Sequence, residues 1–189
     1  MRVFDFDGTI YDGESSVDFF LYSLRRHPKN LRLLPKVLHM LARYKRLKVS
    51  ADELTAGLER YGAEFLRCFN DLDAEISAFW DLHEHKIKSF FLNDRREDDV
   101  ILSASPDFLI SEIAKRLGIK TVIASSFDIS KGKIISLCYH SNKCERFRAV
   151  FPEMRIDEFY TDSDNDSAVF DMADCVYMVK GNEIRRRTV

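Results

Sequence analysis

The chain has 189 residues, 46% of them hydrophobic and 32% charged, with 7 Gly and 4 Pro. That is enough chain for one buried core with a modest insertion, and it excludes disordered, collagen-like and linker sequences. The net charge of −2 conceals an asymmetry: Phe19 to Ala51 holds nine Lys or Arg and no Asp or Glu, so the rest carries 20 basic and 31 acidic residues, a balance of −11. No apolar run approaches the roughly 18 residues of a membrane span. Asp5 and Asp7 stand where the apolar segment of a signal peptide would lie, so a cytoplasmic protein is expected. Cys68, Cys138, Cys144 and Cys175 form no CxxC pair and are expected as buried, reduced thiols.

The chain opens with an apolar run, Arg2 to Phe6, that stops at acidic residues and glycine, which predicts a buried strand ending in a loop. From about Ser15 to Leu92 every apolar pattern is helical. Ser15 or Ser16 can cap a first helix through Arg26, which His27-Pro28 ends. In the next helix Leu34, Val37, Leu38, Leu41 and Tyr44 share one face, and Arg32, Lys36, His39, Arg43 and Arg46 share the other. Ser50 and Glu53 make a capping box for a third helix, and a fourth is predicted from about Leu72 to Leu92.

After Asp98-Asp99 the pattern turns to strands alternating with helices. Val100 to Ser103 reads as a strand, Pro106 opens a helix that Gly118 closes, and Thr121 to Ser125 is strand-like again. Lys131-Gly132 suggests a hairpin, and Ser141 can cap a helix reaching Phe151. Glu158 to Thr161 is a strand, followed by an acidic loop, a short helix and a last strand, Cys175 to Val179. This alternation predicts an α/β protein with a doubly wound, Rossmann-like parallel sheet. Ligands then bind outside the carboxyl ends of the strands. The helical stretch, inserted after the first strand, is expected to cover that edge as an all-helical cap over residues 14–92, with residues 1–13 and 93–189 as the core.

The chemistry collects at the predicted strand ends: Asp5-Phe6-Asp7-Gly8-Thr9, then Ser103, then Lys143 in a first helical turn, then Thr161-Asp162-Ser163-Asp164-Asn165-Asp166. Two residues apart in extended chain, Asp5 and Asp7 can face one site. Clustered carboxylates repel one another unless a cation joins them, and an all-oxygen set suits Mg²⁺ with a phosphate completing its shell. A carboxylate attacks well only a strongly polarised centre such as phosphorus, and Asp7 is placed to protonate the leaving oxygen and then to activate water.

On these four motifs in order, over nearly all of its length, the chain resembles the haloacid dehalogenase-like phosphohydrolases. The resemblance implies that Asp5 is the nucleophile and Asp7 the general acid and base. It implies Mg²⁺ on the Asp5 carboxylate, the Asp7 carbonyl and Asp162, with Asp166 bound directly or through water. It also implies that Ser103 and Lys143, with Gly8 and Thr9, hold the phosphoryl group.

The insert and Ser103-Ala104-Ser105-Pro106 look like the phosphoserine phosphatase branch, in which the position of Glu14 touches substrate. Tyr139-His140-Ser141-Asn142 departs from the pattern, since relatives often have a glycine-containing turn there, and Asp164 is an additional acid. Each signal also has a plainer reading. Glu14 can simply favour a helix N-terminus. Lys131 and Lys133 lie close enough to compete with Lys143, and His83 and His85, two apart on a helix, do not share a face. The basic helix face is a solvated surface, a steering surface for an anionic substrate, or a peripheral contact with anionic lipid. The expected partner is a small-molecule phosphomonoester such as phosphoserine, with no nucleic acid. The alternatives are a lipid-headgroup phosphatase of the phosphatidylglycerophosphatase kind, a phosphotransferase or mutase, and a non-enzymatic phospholigand-binding module.

Overall fold

The computed structural model describes residues 1–45, 57, 61–62, 64–131 and 133–187. The expected capping box at Ser50 and Glu53, with Arg46 and Gly132, lies outside them.

The first strand, β1 (Arg2–Phe4), is buried between two parallel neighbours. The insert follows as α1 (Ser15–Arg26), a 3₁₀ turn (Pro28–Leu33), α2 (Leu34–Lys45), α3 (Leu72–His83), a second 3₁₀ turn (Glu84–Lys86) and α4 (Ser89–Asp94). The chain then runs through β2 (Val100–Pro106), α5 (Asp107–Leu117), β3 (Thr121–Asp128), β4 (Lys133–Ser136), α6 (Asn142–Val150) and β5 (Ile156–Thr161). It ends with a 3₁₀ turn (Asp164–Asp166), α7 (Ser167–Phe170), β6 (Ala173–Lys180) and β7 (Glu183–Arg186).

The seven strands lie in the order β4-β3-β2-β1-β5-β6-β7. Five are parallel, as expected, and the two edge strands, β4 and β7, are antiparallel. From β1 the chain winds to one side through β2 and β3, then to the other through β5 and β6. The direction of winding therefore reverses between β1 and β5, where such sheets open a crevice.

Alternation along the strands builds two apolar layers. Phe4, Ile101 and Tyr160 face one, and Val3, Val100, Leu102 and Phe159 face the other. Arg2 ties the start of β1 to the end of the insert. Its guanidinium grips Asp99 with two bonds of 2.8 Å and reaches Asp94 at 2.5 Å.

Three local expectations change. The first strand ends at Phe4 because the Phe6 carbonyl accepts from the amides of Thr9, Ile10 and Tyr11, closing a tight loop. The predicted fourth helix stops at His83. Ile87 bridges Tyr11, Asp12 N donates to Lys86 O at 2.9 Å, and Lys88 N donates to Ile10 O at 2.8 Å. These cross-chain bonds pull residues 86–88 out of helix and against the first loop. The expected hairpin strands pair antiparallel, with Phe127 opposite Ile134. Beyond the expected last strand a further one, β7, forms, joined to β6 by a turn in which Gly181 has φ 60. Gly181-Asn182 between two extended runs was a hairpin signal.

Much of the insert shares the core of the sheet. Phe19, Ile76, Phe79, Trp80, Ile87 and Phe91 belong to the same cluster as Phe4, Ile101 and Leu109. Trp80 is fully buried, edge-on to Phe6 and Tyr11, and its Nε1 donates to Leu109 O at 2.9 Å. On the basic face, Arg32 pairs with Glu64 at 2.8 Å, and Lys36 Nζ lies 4.8 Å from the centre of the Tyr61 ring. Among the described residues no helix is long and apolar enough to cross a membrane.

Trp80→Ala should lower the unfolding free energy by about 3–5 kcal/mol, the cost of emptying a large buried site. In urea the midpoint falls with the slope unchanged if α3 and the sheet unfold as one unit. A separate early transition would show instead that α3 melts independently.

Candidate active site

Asp5 emerges directly from β1, its amide donating to Tyr160 O at 2.9 Å, and its side chain is buried where β1 and β5 diverge. The loop beyond it turns at Gly8, which has φ 73. A Cβ on Gly8 would lie 2.1 Å from Asp162 Oδ2, so only glycine allows the carboxylate following β5 to approach the first loop so closely. The amides of Gly8 and Thr9 are used within the loop, by Gly13 O at 3.0 Å and Phe6 O at 3.2 Å. Thr9 contributes its hydroxyl, 3.4 Å from Asp5 Oδ2.

Lys143, in the first turn of α6, is buried with its Nζ 2.8 Å from Asp5 Oδ1 and 2.7 Å from Asp166 Oδ1. Asp166 is held in turn by Thr161 Oγ1 at 2.9 Å. Lys131, by contrast, pairs with Asp128 on the exposed hairpin.

Asp7 is clamped from two sides. Ser105 Oγ donates to Oδ2 at 2.6 Å, and the amide of Ser15 donates to Oδ1 at 2.5 Å. The expected capping of α1 by its own serines is thereby replaced. Glu14 occupies the cap position without a side-chain bond to the helix, and Asp7 satisfies the helix amide across the chain. Ser16 Oγ sits 2.8 Å and Ser15 Oγ 3.3 Å from Ser105 Oγ, so the first turn of the insert meets the end of β2 at the acid itself.

Asp5, Asp7, Glu14, Ser105, Lys143, Asp162 and Asp166 line one cavity of about 340 Å³. Ser103 lies fully buried beside it, its Oγ accepting from Ser105 N at 3.1 Å. Asp164 points elsewhere: it pairs with Arg187, just past the last strand, whose guanidinium lies 4.8 Å from the Phe170 ring. His83 bonds Phe79 O at 2.8 Å and stacks on the Phe79 ring.

Two participants lay outside the expectation. Ser105 was visible only as part of Ser103-Ala104-Ser105-Pro106. Lys88, buried, donates through Nζ to Gly8 O. A lysine between Ile87 and the phenylalanines at 90 and 91 was its only sequence signal. His140 carries the departure before Lys143: its φ of 49 is the left-handed conformation a glycine would adopt freely, and it lines the cavity with its ring against Tyr139.

The electrostatics follow from confinement. Burial pushes Asp5 up to about 8, Lys143 opposing the rise and Asp166 and Asp7 adding to it. Burial also raises Asp7, against the hydrogen bonds from Ser105 and Ser15, and raises Asp162. Burial would lower Lys143, but Asp5 and Asp166 outweigh it and hold the amine protonated. Burial lowers Lys88, with Asp12 and Asp162 opposing.

Of the five carboxylates that line the cavity, Asp5, Asp7, Asp162 and Asp166 crowd around Lys143, and burial drives three of these toward protonation unless further positive charge is present. Their oxygen donors fit a hard divalent cation in chemistry and charge. Among the described residues no three His, Cys, Asp or Glu side chains converge tightly enough to enclose a metal, since Asp5 and Asp166 are both drawn onto Lys143.

The profile of haloacid dehalogenase-like hydrolases matches residues 3–171. The chain belongs to that family. Solved structures share its fold. A protein of unknown function from Bordetella pertussis Tohama I superposes with a TM-score of 0.72 at 19% identity, over 90% of this chain and 85% of that one. A phosphoserine phosphohydrolase-like protein from Francisella tularensis subsp. tularensis SCHU S4 gives 0.59 at 17%, over 93% and 84%. A HAD family hydrolase from Salmonella enterica subsp. enterica serovar Typhi gives 0.65 at 14%, over 91% and 59%. No curated protein matches.

The glycines give a controlled test of this family member's first loop. Gly118, with φ 74 and nothing within 4 Å of a built Cβ, pays only for conformation, so Gly118→Ala should cost about 1 kcal/mol. Gly8→Ala adds the collision with Asp162 and should cost at least about 1 kcal/mol more. Equal losses in chemical denaturation would mean that the close approach of Asp162 is not a constraint.

Proposed function

We propose that this chain hydrolyses phosphomonoesters through a phosphoryl group carried on Asp5, with Mg²⁺ as cofactor. The observation that carries the reading is the buried Asp5 carboxylate, 2.8 Å from Lys143, on the wall of a cavity that Asp7 also lines. One oxygen of Asp5 attacks phosphorus, the ester P–O bond breaks, and Asp7 gives its proton to the departing alcohol oxygen. Asp7 then takes a proton from water as that water attacks the phosphorus of phospho-Asp5, releasing inorganic phosphate and restoring the carboxylate.

Ser105 and the Ser15 amide hold Asp7 for both transfers. Lys143 donates to the non-bridging phosphoryl oxygens. Ser103, whose oxygen accepts from Ser105 N, keeps its own proton free to do the same. Mg²⁺, held by Asp5, the Asp7 carbonyl, Asp162 and Asp166 directly or through water, would supply the positive charge that brings a phosphate among four acids. Asp166 also keeps Lys143 aimed at Asp5. Residues 14–92 act as the cap, with α1 tied to the chemistry through Asp7, and Glu14 stands at the cavity where a leaving group would lie.

Phosphate release from a generic aryl phosphate should require Mg²⁺ and stop with chelator. Asp5→Asn should lose at least about a thousandfold in kcat, and Asp7→Asn about a hundredfold or more. An added alcohol that captures the phosphoryl group in place of water would identify a transferase acting through the same intermediate. Undiminished release by Asp5→Asn would remove Asp5 as nucleophile.

A further inference from the structure

We propose that the leaving group is an apolar alcohol, so that the site takes phosphomonoesters of hydrophobic rather than zwitterionic or sugar alcohols. This rests on the phosphatase reading above and names its substrate class.

The cavity that meets Asp5 and Lys143 continues along a hydrophobic wall. Phe19, Phe20, Leu33 and Phe65 come from the insert, and Phe108 and Leu137 from the core. The reacting groups and this wall enclose a single space of about 340 Å³, within the range of small-molecule sites. The wall is built in advance. The Phe65 ring packs 5.8 Å from Phe19 and 5.6 Å from Phe20, and Phe108 lies edge-on to Phe127 at 5.9 Å. A ligand meeting such a wall gains by burying apolar surface and does not have to order the rings first.

The basic side chains point the same way, while Glu14, which also lines the cavity, is exposed and can keep its carboxylate in water. Among the described lining residues the basic side chains are Lys143, already between Asp5 and Asp166, and His140. Phosphoserine presents a carboxylate beyond its phosphate, and no arginine or second lysine among those residues stands ready for it. A sugar alcohol would set several hydroxyls against phenylalanine rings, where each lost hydrogen bond with water goes uncompensated. An alkyl or aryl alcohol makes neither demand.

A homologous series isolates the effect, because ethyl, butyl, hexyl and octyl phosphate share the same leaving-group chemistry and differ only in apolar length. With Mg²⁺, kcat/KM should rise about fourfold for each methylene the wall covers and then level off when the cavity is full. Phosphoserine and glycerol phosphate should fall below butyl phosphate. Val17, half-buried on α1 at the same wall, offers the complementary variant. Val17→Arg should flatten the octyl-to-ethyl ratio of kcat/KM measured within that variant, and Val17→Ser keeps the test should the arginine prevent folding.

Binding of ethyl- and octylphosphonate, which cannot be hydrolysed, is measured alongside by calorimetry. Octyl should bind tighter with a negative heat-capacity change. Turnover that depends on Asp5 but is flat in chain length, or highest for phosphoserine, overturns the apolar leaving group and leaves the phosphatase standing. Preferential octylphosphonate binding with no turnover of any ester overturns the phosphatase and leaves the pocket's preference. No turnover and no preference removes both.

Discussion

The buried amine of Lys143 holds the site together. Without it, the buried Asp5 and Asp166 would face each other, with Asp7 and Asp162 nearby, and like charges so placed drive one another to protonate. With it, the end of β1, the first turn of α6 and the turn after β5 meet at one cation. These are the two strands where the winding of the sheet reverses and a helix that precedes one of them. The ion pairs therefore join fold to chemistry, and they leave a surplus of negative charge suited to a divalent cation.

Asp7 makes the second junction. Its two oxygens are spent on Ser15, the first residue of the insert's first helix, and on Ser105 at the end of β2. A change in its protonation or position is thus felt at the base of α1, whose Phe19 and Phe20 form part of the wall above the site. Behind α1 the insert is anchored more firmly. Trp80 and Phe79 lie in the core of the sheet, and residues 86–88 are laced to the first loop, with Lys88 reaching Gly8 O. An insert anchored this way lines the cavity with its first helix while its later helices complete the hydrophobic layer.

The four motifs were legible because each combines a residue type that chemistry requires with a position that periodicity predicts: an acid after an apolar run, a lysine in a first helical turn. The doubly wound order followed from the alternation of strands and helices, and Gly8 and Gly118 from their places at a turn and a helix end. Ser105 and Lys88 were hard to see for a common reason. Their roles consist of bonds to atoms about 80 to 100 positions away, Ser105 to Asp7 and Lys88 to Gly8 O, and no local pattern records such a partner. The break after His83 has the same origin, since residues 72–92 are helical in pattern and lose that structure only where they pair with Tyr11 and Asp12.

By itself, the sequence determined the architecture of the core, the acids and lysine of the site, and the family to which they point, because these rest on periodicity and local residue chemistry. Tertiary structure decided which lysine enters the site, that Asp7 rather than a serine completes α1, that Asp164 is claimed by Arg187, and that the cavity is walled with phenylalanine. Each of those outcomes depends on which distant surfaces meet, and on the burial that then makes an ion pair, a cap or an apolar wall worth its cost in desolvation and order.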